Sequence, residues 1–350
     1  MTELHQAKST LLPGEFVNLG DAMLALAAAR RLSRGGRHVV VMPYRQPGEE
    51  VRREFEQAGA EVVAMRDQPW RALRACGAGS IHVGGGHAIR NEVSLGWLAF
   101  TAVVTGLARI SGRQVRVVGA GATPVKAGWR RWLFARVLGA CDAICVRDPQ
   151  SAQAVRIDFP ALAGKVRLAG DLAFLDGGLA FPADPMEPAT CVVSPGIDAG
   201  EGRLEDPAEI LAELRTLVER FGLKHVIVVS HDARKELGLD FCRALEAAIL
   251  KALPVTVEVS PAGGVERGLM QPYGRARWII TGRLHGLIVG ALLGRSVIYT
   301  RGSASKLRPF AELFGYRAAG VHDETRFQAA SEVIAPAIAA QKAAAEANFD

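Results

Sequence analysis

The sequence predicts an α/β protein of two domains, each a parallel sheet flanked by helices. Short apolar, β-branched runs alternate with longer Ala-, Leu- and Arg-rich segments along the whole chain, the pattern of strands buried under helices on both faces. The length, 350 residues, suits two domains or one large α/β domain and argues against a small module. The stretch Gly177 to Pro188 carries three prolines within seven positions and no periodicity, so 177–189 reads as an interdomain linker. Charge changes at the same place: residues 1–180 hold 23 basic and 15 acidic side chains, and residues 181–350 hold 19 and 21. The expected division is 1–180, 190–330, and a helical tail over 331–350 long enough to cross back to the N-terminal domain.

In the first domain the expected strands are Val39–Met42, Glu61–Ala64, Ser80–Val83, Gln114–Val118, Ala143–Val146 and Val166–Leu168, with helices over 22–33, 48–58, 69–75, 94–110, 127–138 and 149–155. The second repeats the alternation with strands Thr190–Ser194, His225–Ser230, Val255–Val259, Trp278–Thr281 and Ser296–Tyr299. Its helices are expected near 206–221, 234–251, 264–272, 284–293 and 305–314. Ligands of such sheets bind at the carboxyl ends of strands, in a cleft where two sheets face each other.

Hydrophobic residues at 49% and charged residues at 22% exclude a disordered, fibrous or disulfide-scaffolded chain. The five cysteines are odd in number, form no CxxC pair and sit in apolar runs, which predicts buried reduced thiols. The N-terminus Met1-Thr2-Glu3-Leu4-His5-Gln6 lacks the pattern of a signal peptide, and the longest uncharged apolar stretch, Val93 to Ala108, is too short to span a bilayer. A cytoplasmic protein is expected, with peripheral membrane association left open. No Lys/Arg run suggests a nucleic-acid partner. The bases are 34 arginines against 8 lysines, which suits an anionic ligand, although a compositional bias accounts for the excess equally well.

The strand-to-helix turns are the chemically loaded positions. Asn18-Leu19-Gly20-Asp21 precedes a helix that Asp21 can cap, leaving Asn18 to face a sugar or anion. Gly84-Gly85-Gly86-His87 follows a strand and lets a ligand approach the backbone, but matches neither a dinucleotide nor an ATP fingerprint. Gly119-Ala120-Gly121 is a turn of the same kind. Arg147 stands at a strand end before Asp148-Pro149, a helix-start signal. Leu168-Ala169-Gly170-Asp171 ends another strand with an acid. Ser230-His231-Asp232 closes a very apolar strand. Thr281-Gly282-Arg283-Leu284-His285-Gly286 pairs an anion-fixing arginine with a histidine able to trade protons at neutral pH. Ser303-Ala304-Ser305-Lys306 supplies one of the few lysines. The histidines show no metal-ligand spacing, and no GxSxG elbow is present.

In this order and spacing, the turns at Asn18–Asp21, Gly84–Gly86, Arg147–Ser151, Gly170-Asp171, Ser230–Asp232 and Gly282–Gly286, with the Lys306 segment, resemble the polysaccharide pyruvyl transferase family over about residues 12–315. The resemblance implies two Rossmann-like domains in a glycosyltransferase-B-like arrangement. It implies transfer of a pyruvyl group from phosphoenolpyruvate to a sugar, commonly as a cyclic ketal, in the making of a cell-surface or extracellular polysaccharide. Carried over, the donor is held by Arg147, Arg283, Leu284 and His285. Gly84, Gly85, Gly86 and Lys306 are expected beside them at the donor. Asn18 and His87 are expected at the acceptor, a sugar or lipid-linked oligosaccharide. The lead into Asn18, Pro13-Gly14-Glu15-Phe16-Val17, is less glycine-rich than the family pattern.

The chemistry fits these residue types. Phosphoenolpyruvate carries a carboxylate and a phosphate, which Arg147 and Arg283 could pin from two sides. His285 is the expected general acid/base, with His231 or Asp21 assisting the acceptor. No metal and no cofactor are expected. Two other readings stay open at this point: a nucleotide-sugar glycosyltransferase of the same architecture, and a non-catalytic sugar-phosphate-binding protein.

Overall fold

The computed structural model describes residues 8–14, 16, 18–77, 79–126, 128–175, 179, 185–198, 203–204, 207–232, 238–260, 263–301, 304–320 and 330–350. The chain divides into two compact units, one of residues 1–16, 20–179 and 341–350, the other of residues 17–19 and 180–340.

The first unit runs β1 (Lys8–Leu12), α1 (Leu19–Ser33), β2 (His38–Val41), α2 (Glu49–Gln57), β3 (Ala60–Val62), α3 (Pro69–Ala75), β4 (Ser80–Gly84), α4 (Leu95–Ile110), β5 (Val115–Ala120), α5 (Gly128–Ala140), β6 (Ala143–Val146), α6 (Pro149–Asp158) and β7 (Val166–Leu168). Its seven strands form one parallel sheet in the order β3-β2-β1-β4-β5-β6-β7. Because parallel crossovers are right-handed, strand order that runs one way from β1 and the other way from β4 puts α1 and α2 on one face and α3 to α6 on the other. One hydrophobic cluster accordingly joins Ala72, Trp97, Leu98, Phe134, Val137 and Val155 to the sheet.

The second unit contains β8 (Glu187–Ser194), the antiparallel pair β9 (Ile197–Asp198) and β10 (Arg203–Leu204), α7 (Pro207–Phe221), β11 (His225–Val229), α8 (Leu239–Ala252) and β12 (Thr256–Ser260). A π-helical segment Val265–Met270 leads into α9 (Gln271–Arg275), β13 (Ala276–Thr281), α10 (Leu284–Leu292), β14 (Ser296–Tyr299), α11 (Ala304–Leu313) and β15 (Arg317–Ala318); α12 (Ala330–Glu346) belongs to this unit up to Ala340 and to the first unit from Gln341. Its sheet, β12-β11-β8-β13-β14-β15, is parallel and has the same order as the first once its strands are counted from β8. Two Rossmann-like α/β domains are therefore present.

Several expectations change. β1 was not anticipated, although it is the central strand of its sheet: Lys8-Ser9-Thr10 lacks an apolar run, yet all three residues are buried between β2 and β4. The edge strand β15 was also missed. The linker ends sooner than expected, since Glu187, Pro188 and Ala189 belong to β8; residues 176–178 and 180–184 lie outside the described residues. α1 begins at Leu19, so Asp21 stands in its first turn rather than at its cap. The five cysteines are free and buried, and burial raises the Cys76 and Cys141 thiols to about 12, far from a reactive thiolate.

The C-terminal residues pack against the first unit. Asn348 is fully buried, its Oδ1 accepting the Gly119 N–H at 2.7 Å and its Nδ2 donating to the Gly170 carbonyl at 3.1 Å. Gly170 has no room for a side chain, since a Cβ there would lie 2.6 Å from the Ala345 nitrogen. Phe349 packs against His82 of β4 with the rings tilted by 46° and their centroids 5.6 Å apart. Burial, aided by the Arg116 and Arg37 charges, lowers the His82 pKa to about 4. The unfolded chain takes up this proton near pH 6.5 and the folded chain does not until about pH 4, so acid favours unfolding. Between those limits the term amounts to about 3 kcal/mol. His82→Gln is expected to flatten the fall of the thermal midpoint between about pH 7 and pH 5; an unchanged pH slope would count against a neutral, buried His82.

Candidate active site

In doubly wound sheets, the carboxyl ends of the two strands at which strand order reverses are left uncovered by crossovers, and ligands bind there. Each unit has one such point, between β1 and β4 in the first and between β8 and β13 in the second.

At the switch point of the second unit, β8 ends in Ser194 and β13 in Thr281, cross-strand partners in register. Ser194 Oγ donates to Thr281 Oγ1 at 2.6 Å, and Thr281 Oγ1 accepts the Arg283 N–H at 2.9 Å. This ties the turn to the strand end and leaves Arg283 at the N-cap of α10, with Leu284 and His285 in the first turn. The Arg283 Nε–H donates to the Pro195 carbonyl at 2.9 Å, which fixes the plane of the guanidinium. His285 is buried, and Leu284 half-buried. A fixed arginine at a helix N-terminus combines a fork for an anion with the positive end of the helix dipole.

Gly286 explains why the turn ends in glycine. A Cβ there would lie 2.5 Å from both Thr281 Oγ1 and the Tyr273 hydroxyl and 2.9 Å from Ser194 Oγ, so α10 starts in direct contact with three hydroxyls. Tyr273 is buried, and its hydroxyl bonds His231 Nε2 at 2.9 Å. His231 is itself buried, and desolvation together with the Arg283 and His285 charges pushes its pKa well below the usual histidine range. The lowered pKa favours a neutral imidazole at physiological pH, hydrogen-bonded to the Tyr273 hydroxyl. Asn18 joins this unit, bridging to Asp232 while the Leu19 N–H donates to the His231 carbonyl at 2.8 Å. Lys306 lies in α11, and its side chain is outside the described residues.

At the switch point of the first unit, Gly84, Gly85 and Gly86 take φ values of 123°, 86° and 71°, a succession that only glycine adopts without strain. A Cβ on Gly86 would collide with the Asp21 carboxylate and one on Gly84 would lie 2.7 Å from the Val118 carbonyl, whereas one on Gly85 would meet only ordinary contacts. Asp21, Gly85 and His87 line a small pocket with Arg90, Glu92 and Trp97. His87 Nε2 lies 3.3 Å from Thr123 Oγ1. The sequence reading named Asp21 and His87 but missed Arg90 and Glu92, which sit in an irregular stretch that carries no strand-end signal.

Arg147 departs most from expectation. Its side chain is 9% exposed, with Nη1 3.3 Å from Asp171 Oδ2 and Nε 3.5 Å from Asp148 Oδ2. Its guanidinium packs against Gly121, where a Cβ would lie 2.9 Å from Nη2. The expected donor-binding fork is thus engaged with Asp171, a fully buried acid whose pKa burial raises and Arg147 lowers. Asp148 caps α6 as its sequence context predicts, accepting the Ser151 N–H at 2.7 Å.

Residues 18–301 match the family described as polysaccharide pyruvyl transferase. The chain belongs to that family. The match runs through both switch points, from Asn18 to the strand after the Arg283–Gly286 turn. Proteins of curated function give no significant sequence match. Among solved structures, the UDP-GlcNAc 2-epimerase from Neisseria meningitidis superposes with a TM-score of 0.55 at 11% identity, covering 98% of this chain and 96% of that one. The Methanocaldococcus jannaschii UDP-GlcNAc 2-epimerase gives 0.54 at 13%, covering 96% and 92%. The calicheamicin glycosyltransferase CalG4 gives 0.50 at 14%, covering 99% and 95%. At these identities the likeness is one of fold, the two-domain α/β fold of GT-B glycosyltransferases and epimerases.

Gly286→Ala forces its new methyl against the Thr281 and Tyr273 hydroxyls. The expected cost is about 1–3 kcal/mol of stability. Gly139→Ala, in α5 with open space around it, is expected to be neutral or slightly stabilising. Equal denaturation midpoints for the two variants would contradict the close packing described for Gly286.

Proposed function

We propose that this family member transfers the pyruvyl group of phosphoenolpyruvate to a sugar, forming a ketal within a cell-surface or extracellular polysaccharide unit. The observation that carries the reading is the Arg283-Leu284-His285-Gly286 turn, held at the switch point of the second sheet by Ser194 and Thr281, within the family match. The donor is a small anion that carries both a carboxylate and a phosphate group. Arg283 offers it a guanidinium whose plane is already set by Pro195, so little side-chain entropy is lost on binding. The N–H groups of the first turn of α10 add donors aligned with the helix dipole.

The chemistry requires C3 of the enol to gain a proton, C2 to be attacked by one sugar oxygen, and a second sugar oxygen to displace phosphate. Each attacking hydroxyl gives up its proton, and the methylene becomes a methyl group. His285 supplies the proton to C3 in this reading, and Tyr273, fixed by His231, holds the packing beneath it. The acceptor is assigned to the pocket of the first unit, where Asp21 and His87 meet Arg90 and Glu92; a carboxylate there serves as the base for a sugar hydroxyl. Arg147, paired with Asp171, orders that unit's strand ends rather than clamping the donor. The reaction as written needs no cofactor, and the acceptor is a free or lipid-linked sugar reached from the cytoplasm. The GT-B-type fold is compatible with a nucleotide-sugar donor, but the family match favours the pyruvyl reading.

Incubation with phosphoenolpyruvate and candidate sugar acceptors in deuterated water, followed by phosphate assay and mass spectrometry, tests the reading. Release of phosphate with one deuterium in the new methyl group is expected. His285→Ala is expected to lower turnover by at least about 10²-fold while melting like the parent protein. Near-normal transfer by that variant would remove His285 from the chemistry.

A further inference from the structure

Two helices on one face of the first sheet present an outer surface that folding leaves uncovered. α4 carries a single charged residue, Arg109, among sixteen, and buries Trp97, Leu98, Val104 and Ala108 against the sheet. Its opposite stripe is apolar as well: Val103, Leu107 and Ile110 are 54%, 55% and 86% exposed. A helix apolar on both faces is ordinarily covered on both. α5 packs along α4, and exposes Trp129 and Trp132, one turn apart, at 49% and 57%. The Arg130 side chain reaches the Val93 carbonyl just before α4, which places the start of α5 beside the start of α4.

Charge within the stretch that carries α4 and α5 has one sign. Residues 93–141 hold seven Lys and Arg and no Asp or Glu. Arg130 stacks on Trp129 with its guanidinium carbon 4.5 Å from the ring centroid, and Arg136 on Trp132 at 5.0 Å. Arg109 and Arg131 have acidic partners from outside the stretch, Asp142 and Asp158. Tryptophan beside arginine at the edge of an apolar stripe is the composition of surfaces that sit at a membrane–water interface. The rings lie at headgroup level, aliphatic side chains reach the acyl boundary, and guanidinium groups meet lipid phosphates.

We propose that the outer face of α4 and α5 is a docking surface for an anionic lipid bilayer. A second copy of the chain fits it less well, because a two-fold contact would set this basic stretch against itself. The surface contains no spanning element, and among the described residues no helix is long and apolar enough to cross a membrane. Binding is therefore peripheral and sensitive to salt. Val93, Ser94 and Trp97, at the start of α4, also line the pocket that holds Asp21 and His87, so that pocket borders the docking surface. The proposal stands on the surface alone and does not depend on the reaction.

Flotation of the full-length protein with vesicles of phosphatidylglycerol and phosphatidylcholine, against phosphatidylcholine alone, tests it. Binding is expected to the anionic vesicles and to weaken as salt rises. The double variant Trp129→Ser/Trp132→Ser and the single variant Ile110→Glu should each weaken partitioning by about tenfold or more. Leu250→Gln, an exposed leucine of α8 in the other unit, should leave it unchanged. All substituted positions are exposed, and circular dichroism melts verify that the variants fold. Absence of binding to anionic vesicles, or binding indifferent to Trp129, Trp132 and Ile110, overturns the proposal. So does a dimer in sedimentation that the same substitutions disperse without any vesicle binding.

Discussion

The geometry of the Arg283–Gly286 turn rests on a constraint of parallel sheets. Right-handed crossovers leave β8 toward one edge and β13 toward the other, so no helix can cover the point where the two strands part. Their last residues, Ser194 and Thr281, are buried polar groups at the end of otherwise apolar strands, and each must find a partner. They find one another at 2.6 Å and then the backbone of Arg283. The position of the arginine and of the first turn of α10 follows from that bond rather than from loop conformation. A site built on strand ends is held more rigidly than one on a mobile loop, and an anion-binding fork benefits because less freedom is lost on binding.

Glycine has a different physical task at each switch point. Gly286 adopts ordinary helical backbone geometry and is required because three hydroxyls occupy the space of a side chain. Gly84 to Gly86 are required first by their positive φ, and then by the approach of Asp21 and the Val118 carbonyl. The second turn therefore presents an acid beside the glycine loop, while the first presents a base and a cation over a hydroxyl network. His231 and His285, both buried, differ in their surroundings. His231 has a tyrosine hydroxyl and nearby positive charge, both of which suit a neutral imidazole, whereas His285 stands in the helix turn that the arginine opens.

Much of this was legible in the sequence because the strands concerned are short, apolar and punctuated. Ala143–Val146, Val166–Leu168 and Ser296–Tyr299 coincide with β6, β7 and β14. The Arg283–Gly286 turn, Asp148 as a cap and the strand-to-helix position of the glycine triplet could be read for the same reason. Three of the failures come from partnership between residues distant in sequence. β1 is hidden because Lys8, Ser9 and Thr10 become strand residues only when two neighbours pair with them. Arg147 looks like an exposed fork until Asp171, 24 residues on, is folded beside it. Asp21 looks like a cap until Gly86 removes the side chain that would exclude it. Ser194 and Thr281 carried a usable signal, since both are polar residues closing apolar runs, but their connection depends on β8 and β13 being neighbours despite the intervening α7, β11, α8 and β12.

The central claim is that the Arg283–Gly286 turn of the second unit is the donor site. Calorimetric titration of the protein with phosphoenolpyruvate, without acceptor, tests it most directly. Saturable binding of phosphoenolpyruvate is predicted, weakened by at least about tenfold in Arg283→Ala through loss of a charge-assisted pair, and little changed in Asp21→Asn. Binding of a nucleotide-sugar in preference to phosphoenolpyruvate, or phosphoenolpyruvate binding that survives Arg283→Ala intact, would contradict it.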